Sequence, residues 1–413
     1  MPERPVAAAS PSASEPSRRL PDDPSGGSLP IYLDHLATTP LDARVLEAMI
    51  PFYTTDFGNP SSAHPFGWRA KQATEASRSE VASLIGASPR EIVFTSGATE
   101  ANNLALRGLL ERVSDPNNRG HLITGVTEHP AVLDVCDTLE LQGVDVTRLP
   151  VDAHGQIDAG QLRDSLRPDT FLVSLMAANN EIGTLHPLAE IGSILSDHPA
   201  LWHCDAAQAA GKIPIDVKAL GIDLLSISAH KLYGPKGQGA LYVSRRRPAI
   251  RLAPLQEGGG QERGIRSGTL NVPGIVGLGT ACELAASEMQ GEAERLQRLR
   301  DRLVSHLTTN LPQLRINGHP EQRLPGCVSI CFDGVDGRDL LLQLQQDVAL
   351  SAGAACASGH AGPSHVLASV GLSDEQAAST LRFGLGRGTT TQQIDTVAER
   401  VVEVCTRVSA LAS

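Results

Sequence analysis

Short β-branched runs alternate with helical patterns from about Arg90 to Val243, and polar residues stand repeatedly just past the runs. Ile92-Val93-Phe94-Thr95 leads into a helix through Leu110, and His121 to Gly125 precedes another around Ala131 to Leu141. Asp145 to Leu149, Phe171 to Met176, Leu201 to Cys204, Leu224 to Ser228 and Ala240 to Val243 continue the series. This alternation predicts an α/β domain with a mostly parallel central sheet. Such sheets bind ligands beyond the carboxyl ends of their strands, so the residues just after each run become the candidates for function.

After Asn271 the pattern changes. A helical stretch from Gly274 to about Asn310 carries charged pairs such as Glu292 and Arg295 at helical spacing. A strand (Cys327 to Phe332), a loop rich in Ala, Gly and Ser (Ser351 to Gly362) and another strand (Thr380 to Gly384) follow. In the last helix Ile394, Val397, Val401, Val404, Cys405 and Val408 share one face. The reading is a second, smaller α/β domain, as 413 residues would suggest. The expected division is a large domain over 41–290 and a small domain of 30–40 with 291–413, carrying the loop 351–362. Residues 1–29, rich in Pro, Ser and Ala, read as a disordered tail.

Composition removes several classes of function. A formal net charge of -11 argues against a nucleic-acid surface, and no basic run exceeds Arg245-Arg246-Arg247. No stretch reaches the run of about 18 apolar residues needed to span a bilayer. The first residues lack a signal peptide's apolar core, and Glu3, Glu15, Asp22 and Asp23 do not suit a transit peptide. Seven scattered cysteines without a C-x-x-C fit reduced thiols, so a cytoplasmic enzyme is expected. Cys327 and Cys331, four apart on one strand face, read as packing, and no metal site is expected.

The strand ends carry the chemistry. Ser228-Ala229-His230-Lys231 closes an apolar run, and a Lys ending a buried strand is costly unless something uses it. Burial and nearby cations depress an amine's pKa, which suits Schiff-base formation with an aldehyde; a snorkelling Lys is the plainer alternative. Thr95-Ser96-Gly97-Ala98-Thr99-Glu100 joins a strand to a helix, where free N–H groups attract a phosphate, although a Ser or Thr there is ordinarily only a cap. Asp205 ends a third run, with Gln208 three residues on. Pyridoxal phosphate needs a carboxylate of this kind against its ring nitrogen. His129 and Asn180 follow two further strands. Each residue alone has a structural explanation; four polar strand ends together with one Lys are harder to explain that way.

Leu33-Asp34, Ala37-Thr38-Thr39-Pro40, Ser96 to Glu100, Glu128-His129, Asn179 to Gly183, Asp205 to Gln208, Ser228 to Lys231, Gly258 to Arg263 and Arg266 to Thr269 occur in this order. As a set they resemble the class V aminotransferase-fold family of pyridoxal-phosphate enzymes, and within it the cysteine desulfurases that feed iron–sulfur cluster assembly. The resemblance covers roughly residues 31–405. It implies aminotransferase fold type I, with a seven-stranded sheet in the large domain. Lys231 would carry the cofactor, Asp205 pair the pyridine nitrogen, Gln208 contact the ring oxygen and His129 stack on the ring. Ala98, Thr99, Ser228 and His230 would meet the phosphate, joined by Thr269 from the other subunit of a homodimer. Asn180 and Arg382 would hold the carboxylate of L-cysteine, a task suited to Arg's planar fork.

Ser351 to Gly359 places Cys356 among small residues, with Pro363 starting the approach to the next helix. An ordinary Cys in a small-residue turn would look the same. The position resembles the family's mobile persulfide cysteine, and the long spacing to Pro363 its housekeeping branch. That resemblance implies a sulfurtransferase converting L-cysteine to L-alanine, with sulfur held on Cys356 and passed to an acceptor protein such as an iron–sulfur scaffold. His35-Leu36 and the alanines at 352, 354, 355 and 357 depart from common family residues. The competing readings are a same-fold cysteine/cystine lyase or aminotransferase, which would not need Cys356, and a non-enzymatic sulfur-relay module, which would not need Lys231 with Asp205.

Overall fold

A computed structural model describes residues 29–110, 120–245, 249–352 and 364–412. Residues 1–28 of the expected tail, Arg246 and Arg247, and Cys356 with the rest of 353–363 lie outside the described residues. The strands are β1 (Ile31–Tyr32), β2 (Ile92–Thr95), β3 (His121–Gly125), β4 (Asp145–Leu149), β5 (Thr170–Ser174), β6 (Leu201–Asp205) and β7 (Leu224–Ser228). There follow β8 (Gly239–Val243), β9 (Leu314–Asn317), β10 (Cys327–Phe332), β11 (Val348–Ala349), β12 (Ser351–Ala352) and β13 (Thr380–Gly384).

Seven strands form one sheet in the order β2-β8-β7-β6-β5-β3-β4. The pairings β3–β4, β3–β5, β5–β6 and β6–β7 are parallel, and β8 runs antiparallel to both its neighbours. Successive side chains on a strand point to opposite faces, and here both faces are buried. Ile92, Ile123, Val173 and Leu225 join one core, whereas their neighbours Val93, Leu122, Leu172 and Leu224 join another. The sheet is therefore covered on both sides, and functional groups can collect only at its edge. Because β2, β3, β5, β6 and β7 point the same way, their carboxyl ends share that edge.

A second sheet, β12-β13-β10-β9, is antiparallel, and β1 pairs with β11 in parallel. Val328, Ile330 and Phe332 face a separate core with Leu381, Phe383, Ile394, Val397 and Val401. Cys327 and Cys331 lie on the opposite face, Cys327 packed toward Gly183 and Cys331 toward Val366 and Ala377, as strand packing requires. Among the described residues no group of His, Cys, Asp or Glu could hold a metal ion.

One helix, Val272–Asn310, serves both cores. Ile275, Leu278, Ala281 and Ala285 pack with the large sheet's core, while Leu296, Leu299, Leu303 and Leu307 pack with the small sheet's. The expected Glu292–Arg295 pair does not form. Glu292 accepts from Arg387 Nε at 3.1 Å, and Arg295 donates to the carbonyls of Thr389, Gly386 and Arg387. Tertiary partners at the junction of the two cores displace a local pair that is worth only a few tenths of a kcal/mol.

Candidate active site

The shared strand edge opens into a cavity of about 1100 Å³. Its lining includes Ala98, Thr99, His129, Asn180, Asp205, Gln208, Ser228, His230, Lys231 and Arg382. All the residues named from the sequence thus come together, except two. Thr269 is exposed and outside this chain's cavity, and Cys356 lies outside the described residues.

Each strand end delivers its residue for a local reason. β2 ends at Thr95, and helix Ala98–Leu110 starts after only Ser96 and Gly97, so its first-turn N–H groups, which no preceding turn can satisfy, open at the cavity. Close approach makes Gly239 obligatory beside this turn, because a Cβ there would lie 2.5 Å from the Ile227 carbonyl and 2.6 Å from Gly97 Cα. After β3, Glu128 is fully buried and accepts from Met176 N–H at 2.7 Å, which ties the ends of β3 and β5 together. Burial, reinforced by the Asp205 charge and opposed by the Met176 N–H bond, drives its pKa well above the usual carboxylate range. His129 caps helix Pro130–Leu141, its Nδ1 accepting from Ala131 N–H at 3.0 Å. That bond places the ring proton of the neutral imidazole on Nε2, and burial lowers the pKa further from charge.

Asp205 is 6% exposed at the end of β6. Its Oδ2 accepts from Asn102 Nδ2 at 2.7 Å and its Oδ1 from Ala207 N–H at 2.9 Å. The carboxylate is held in place by two donors and carries no cation of its own in these bonds. Asn102, unnoticed in the sequence, is 1% exposed inside helix Ala98–Leu110, one turn beyond Thr99. Asn is a poor helix former, and its burial there is explained by this single task.

Beyond β7, Lys231 donates from Nζ to the Leu36 carbonyl and to the Ala37 carbonyl at 2.7 Å. Burial first, then the Arg382 cation, lower its pKa to about 8, against the opposing pull of Asp34 and Asp205. His230 Nδ1 lies 3.1 Å from Thr38 Oγ1, and burial with the neighbouring lysines lowers its pKa to about 4. Opposite, Arg382 is largely buried. It donates to Asp34 Oδ1 at 2.8 Å, Ser351 Oγ at 2.9 Å and the Asn180 carbonyl at 2.8 Å.

An amine of lowered pKa within reach, a fixed carboxylate, a helix start with hydroxyls from Thr99 and Ser228, and an aromatic imidazole fit the aldehyde, ring nitrogen, phosphate and ring face of pyridoxal phosphate. The arrangement has the donor set that this cofactor demands.

Comparison with known proteins agrees with this chemistry. The aminotransferase class-V family model matches residues 31–397. A mouse cysteine desulfurase is 52% identical over 374 residues, 90% of this chain and 81% of that protein. A cysteine desulfurase IscS from Anaeromyxobacter sp. (strain Fw109-5) is 53% identical over 376 residues, 91% of this chain and 92% of that protein. Among solved structures, a NifS-like protein superposes with a TM-score of 0.85 at 38% identity, covering 92% of this chain and 100% of the other. SspA in complex with cysteine has a TM-score of 0.76 at 40% identity, covering 86% and 98%. Fold, donor set and similarity over nearly the whole chain agree: the chain belongs to the class-V aminotransferases and, within them, to the pyridoxal-phosphate-dependent cysteine desulfurases.

Proposed function

We propose that the chain moves the sulfur of L-cysteine onto Cys356 as a persulfide and releases L-alanine. The observation that carries this reading is that the residues flanking 353–363 both border the cavity. On one side Ser351 donates to Asp34 Oδ1 at 2.8 Å, and on the other Ser364 donates to Glu181 Oε2 at 2.5 Å while His365 Nε2 meets the Glu128 carbonyl at 2.9 Å. The cysteine bound to the related SspA supports the substrate.

When bound, pyridoxal phosphate supplies an electron sink for the pair freed at the substrate Cα. Lys231 holds the cofactor and, with its lowered pKa, takes the Cα proton and returns it. Asp205 would hold the ring nitrogen, Gln208 the ring oxygen and His129 the ring, while Ala98, Thr99, Ser228 and His230 would receive the phosphate. The Arg382 fork, with Asn180, orients the substrate carboxylate. The Cys356 thiolate attacks the substrate sulfur: an S–S bond forms as the Cβ–S bond breaks, and the freed pair ends on carbon with a proton. L-cysteine and a thiol become L-alanine and a persulfide, with no outside oxidant or reductant.

The test is product analysis with Cys356→Ser. Wild type should give alanine and a persulfide on Cys356, while the variant keeps the cofactor's absorbance and forms no persulfide. Pyruvate and ammonia as products, or sulfur transfer undiminished in the variant, would favour the lyase.

A homodimer accompanies this reading. Tyr53, Phe57, Phe66 and Trp68 are 47% to 65% exposed, with the rings of Phe57 and Phe66 5.4 Å apart, an apolar patch suited to a second copy. Thr269, exposed and away from its own cavity, would complete the partner's site. The division into 41–290 and 30–40 with 291–413 rests on the two cores, with helix Val272–Asn310 crossing it unbroken. An iron–sulfur scaffold is the proposed sulfur acceptor, by resemblance to the housekeeping branch. No helix among the described residues is long and apolar enough to cross a membrane. The cytoplasm is the proposed compartment, supported by six free cysteines among the described residues, and fractionation tests it against the organelle named for a fungal mitochondrial relative.

A further inference from the structure

Gln208 reaches the cavity from the turn after β6, but its amide is already engaged from behind. Oε1 accepts from Lys212 Nζ at 2.8 Å, and Nε2 donates to the Leu36 carbonyl at 2.9 Å. An ammonium or amine N–H can serve here only as donor, and a carbonyl only as acceptor, so these two partners together fix which end of the amide is oxygen. The Leu36 carbonyl is itself held by Lys231 Nζ, so Lys212, Gln208, Leu36 and Lys231 form one connected chain. Lys212 does not line the large cavity. It lines a separate cavity of about 40 Å³ on the far side of Leu36, with Tyr233, Glu292 and Arg387. Its hydrogen bond therefore reaches the large cavity only through Gln208, while its charge also acts on Lys231, which lines both cavities.

We infer that Lys212 is a positioning residue, which holds the Gln208 amide with its N–H donor toward the ring oxygen of the cofactor. The inference rests on the reading of Gln208 as that oxygen's partner. An ionised ring oxygen accepts and cannot donate, so a reversed amide would present oxygen to oxygen. Without Lys212, Oε1 loses its partner and only the Leu36 carbonyl still opposes reversal. Burial and the Lys231 cation lower the Lys212 pKa to about 7. The role survives that titration, because a neutral amine still donates N–H to Oε1 while the Leu36 carbonyl, an acceptor only, holds Nε2.

The experiment strips the full-length protein of cofactor and titrates it with pyridoxal phosphate, reading the dissociation constant and the bound cofactor's absorbance maximum. Lys212→Met should weaken binding roughly fivefold to tenfold, the value of one hydrogen bond, and shift the maximum. Gln208→Ala should do the same, and at pH 8.5, where Lys212 is largely neutral, the double variant should be no worse than Gln208→Ala alone, because the Lys212 hydrogen bond acts through Gln208. Lys212→Arg, which keeps a donor, should recover most of the affinity. Should Lys212→Met not fold, Lys212→Leu, which also lacks a donor, takes its place with the same expectation. Losses that add in the double variant, or Lys212→Met binding like wild type while Gln208→Ala binds weakly, would overturn the role of Lys212 alone. If Gln208→Ala leaves both readouts unchanged, the ring-oxygen contact is wrong and the inference falls with it.

Discussion

The amine of Lys231 offers the most direct measurement of how the fold prepares its chemistry. Burial and the Arg382 cation take its pKa from 10.5 to about 8. At pH 7 roughly one Lys231 in ten is then a free amine, against about one in three thousand for an unperturbed lysine. The fold therefore raises the population able to attack an aldehyde by about 300-fold. Stopped-flow mixing of cofactor-free protein with pyridoxal phosphate, followed by absorbance from pH 6.5 to 10, reads this directly, with an acetylated lysine as reference. The capture rate should rise with pH and level off with a midpoint near 8. Arg382→Met removes a cation and should move the midpoint up, whereas Asp34→Asn removes an anion and should move it down. The same sign governs stability: in the window from about 8 to 10.5 the unfolded chain binds the extra proton, so this group's contribution rises with pH there and is lost below it. A midpoint above about 9.5, or one that ignores both substitutions, would refute the account of Lys231 as an amine activated by its surroundings.

Two further outcomes follow from groups outside the chemistry. Glu262, with a side chain 2% exposed, accepts both Nη atoms of Arg78 at 2.8 Å and Phe94 N–H at 2.9 Å. Glu262→Ala leaves the buried Arg78 with only the solvent-exposed Glu75 as counter-charge and should cost about 3 kcal/mol in urea unfolding, and a loss under about 1 kcal/mol would contradict the buried pair. His203 sits between Ser174 Oγ and Ser226 Oγ, and burial lowers its pKa to about 4. Because the folded value lies below the unfolded one, stability should fall as pH drops from about 6.5 to 4; His203→Gln should flatten that fall, and an unchanged pH dependence would count against it.

The strand-end residues were legible because two regularities coincide. An apolar run marks a buried strand, and parallel strands bring their carboxyl ends to one edge, so His129, Asp205, Ser228 and Lys231 could be grouped without knowing a single distance. Boundaries blurred where a side chain substituted for the ladder. Leu175 and Met176 continue the apolar run of Phe171 to Met176, yet β5 stops at Ser174 because Met176 N–H turns to the Glu128 carboxyl group. The reverse happened at Asp205, whose charge suggested a strand end one residue early although it pairs with Ser226.

What stayed hidden was which polar group meets which. Asn102 finds Asp205, Arg382 finds Asp34 and Arg78 finds Glu262 across stretches of 103, 348 and 184 residues, and periodicity carries no information over such spans. Local spacing even misled, since Glu292 and Arg295 stand three apart and both prefer partners near residue 387. Lys231 itself belongs to both classes. Its place at the end of β7 follows from an apolar run, but its lowered pKa depends on Arg382, which the antiparallel pairing of β13 with β10 carries to the cavity. Cofactor attachment is thus written locally, while the state of the amine that performs it is a property of the assembled fold. Displacing Arg382 by a change in the small sheet should therefore retune Lys231 without altering any residue of the large one.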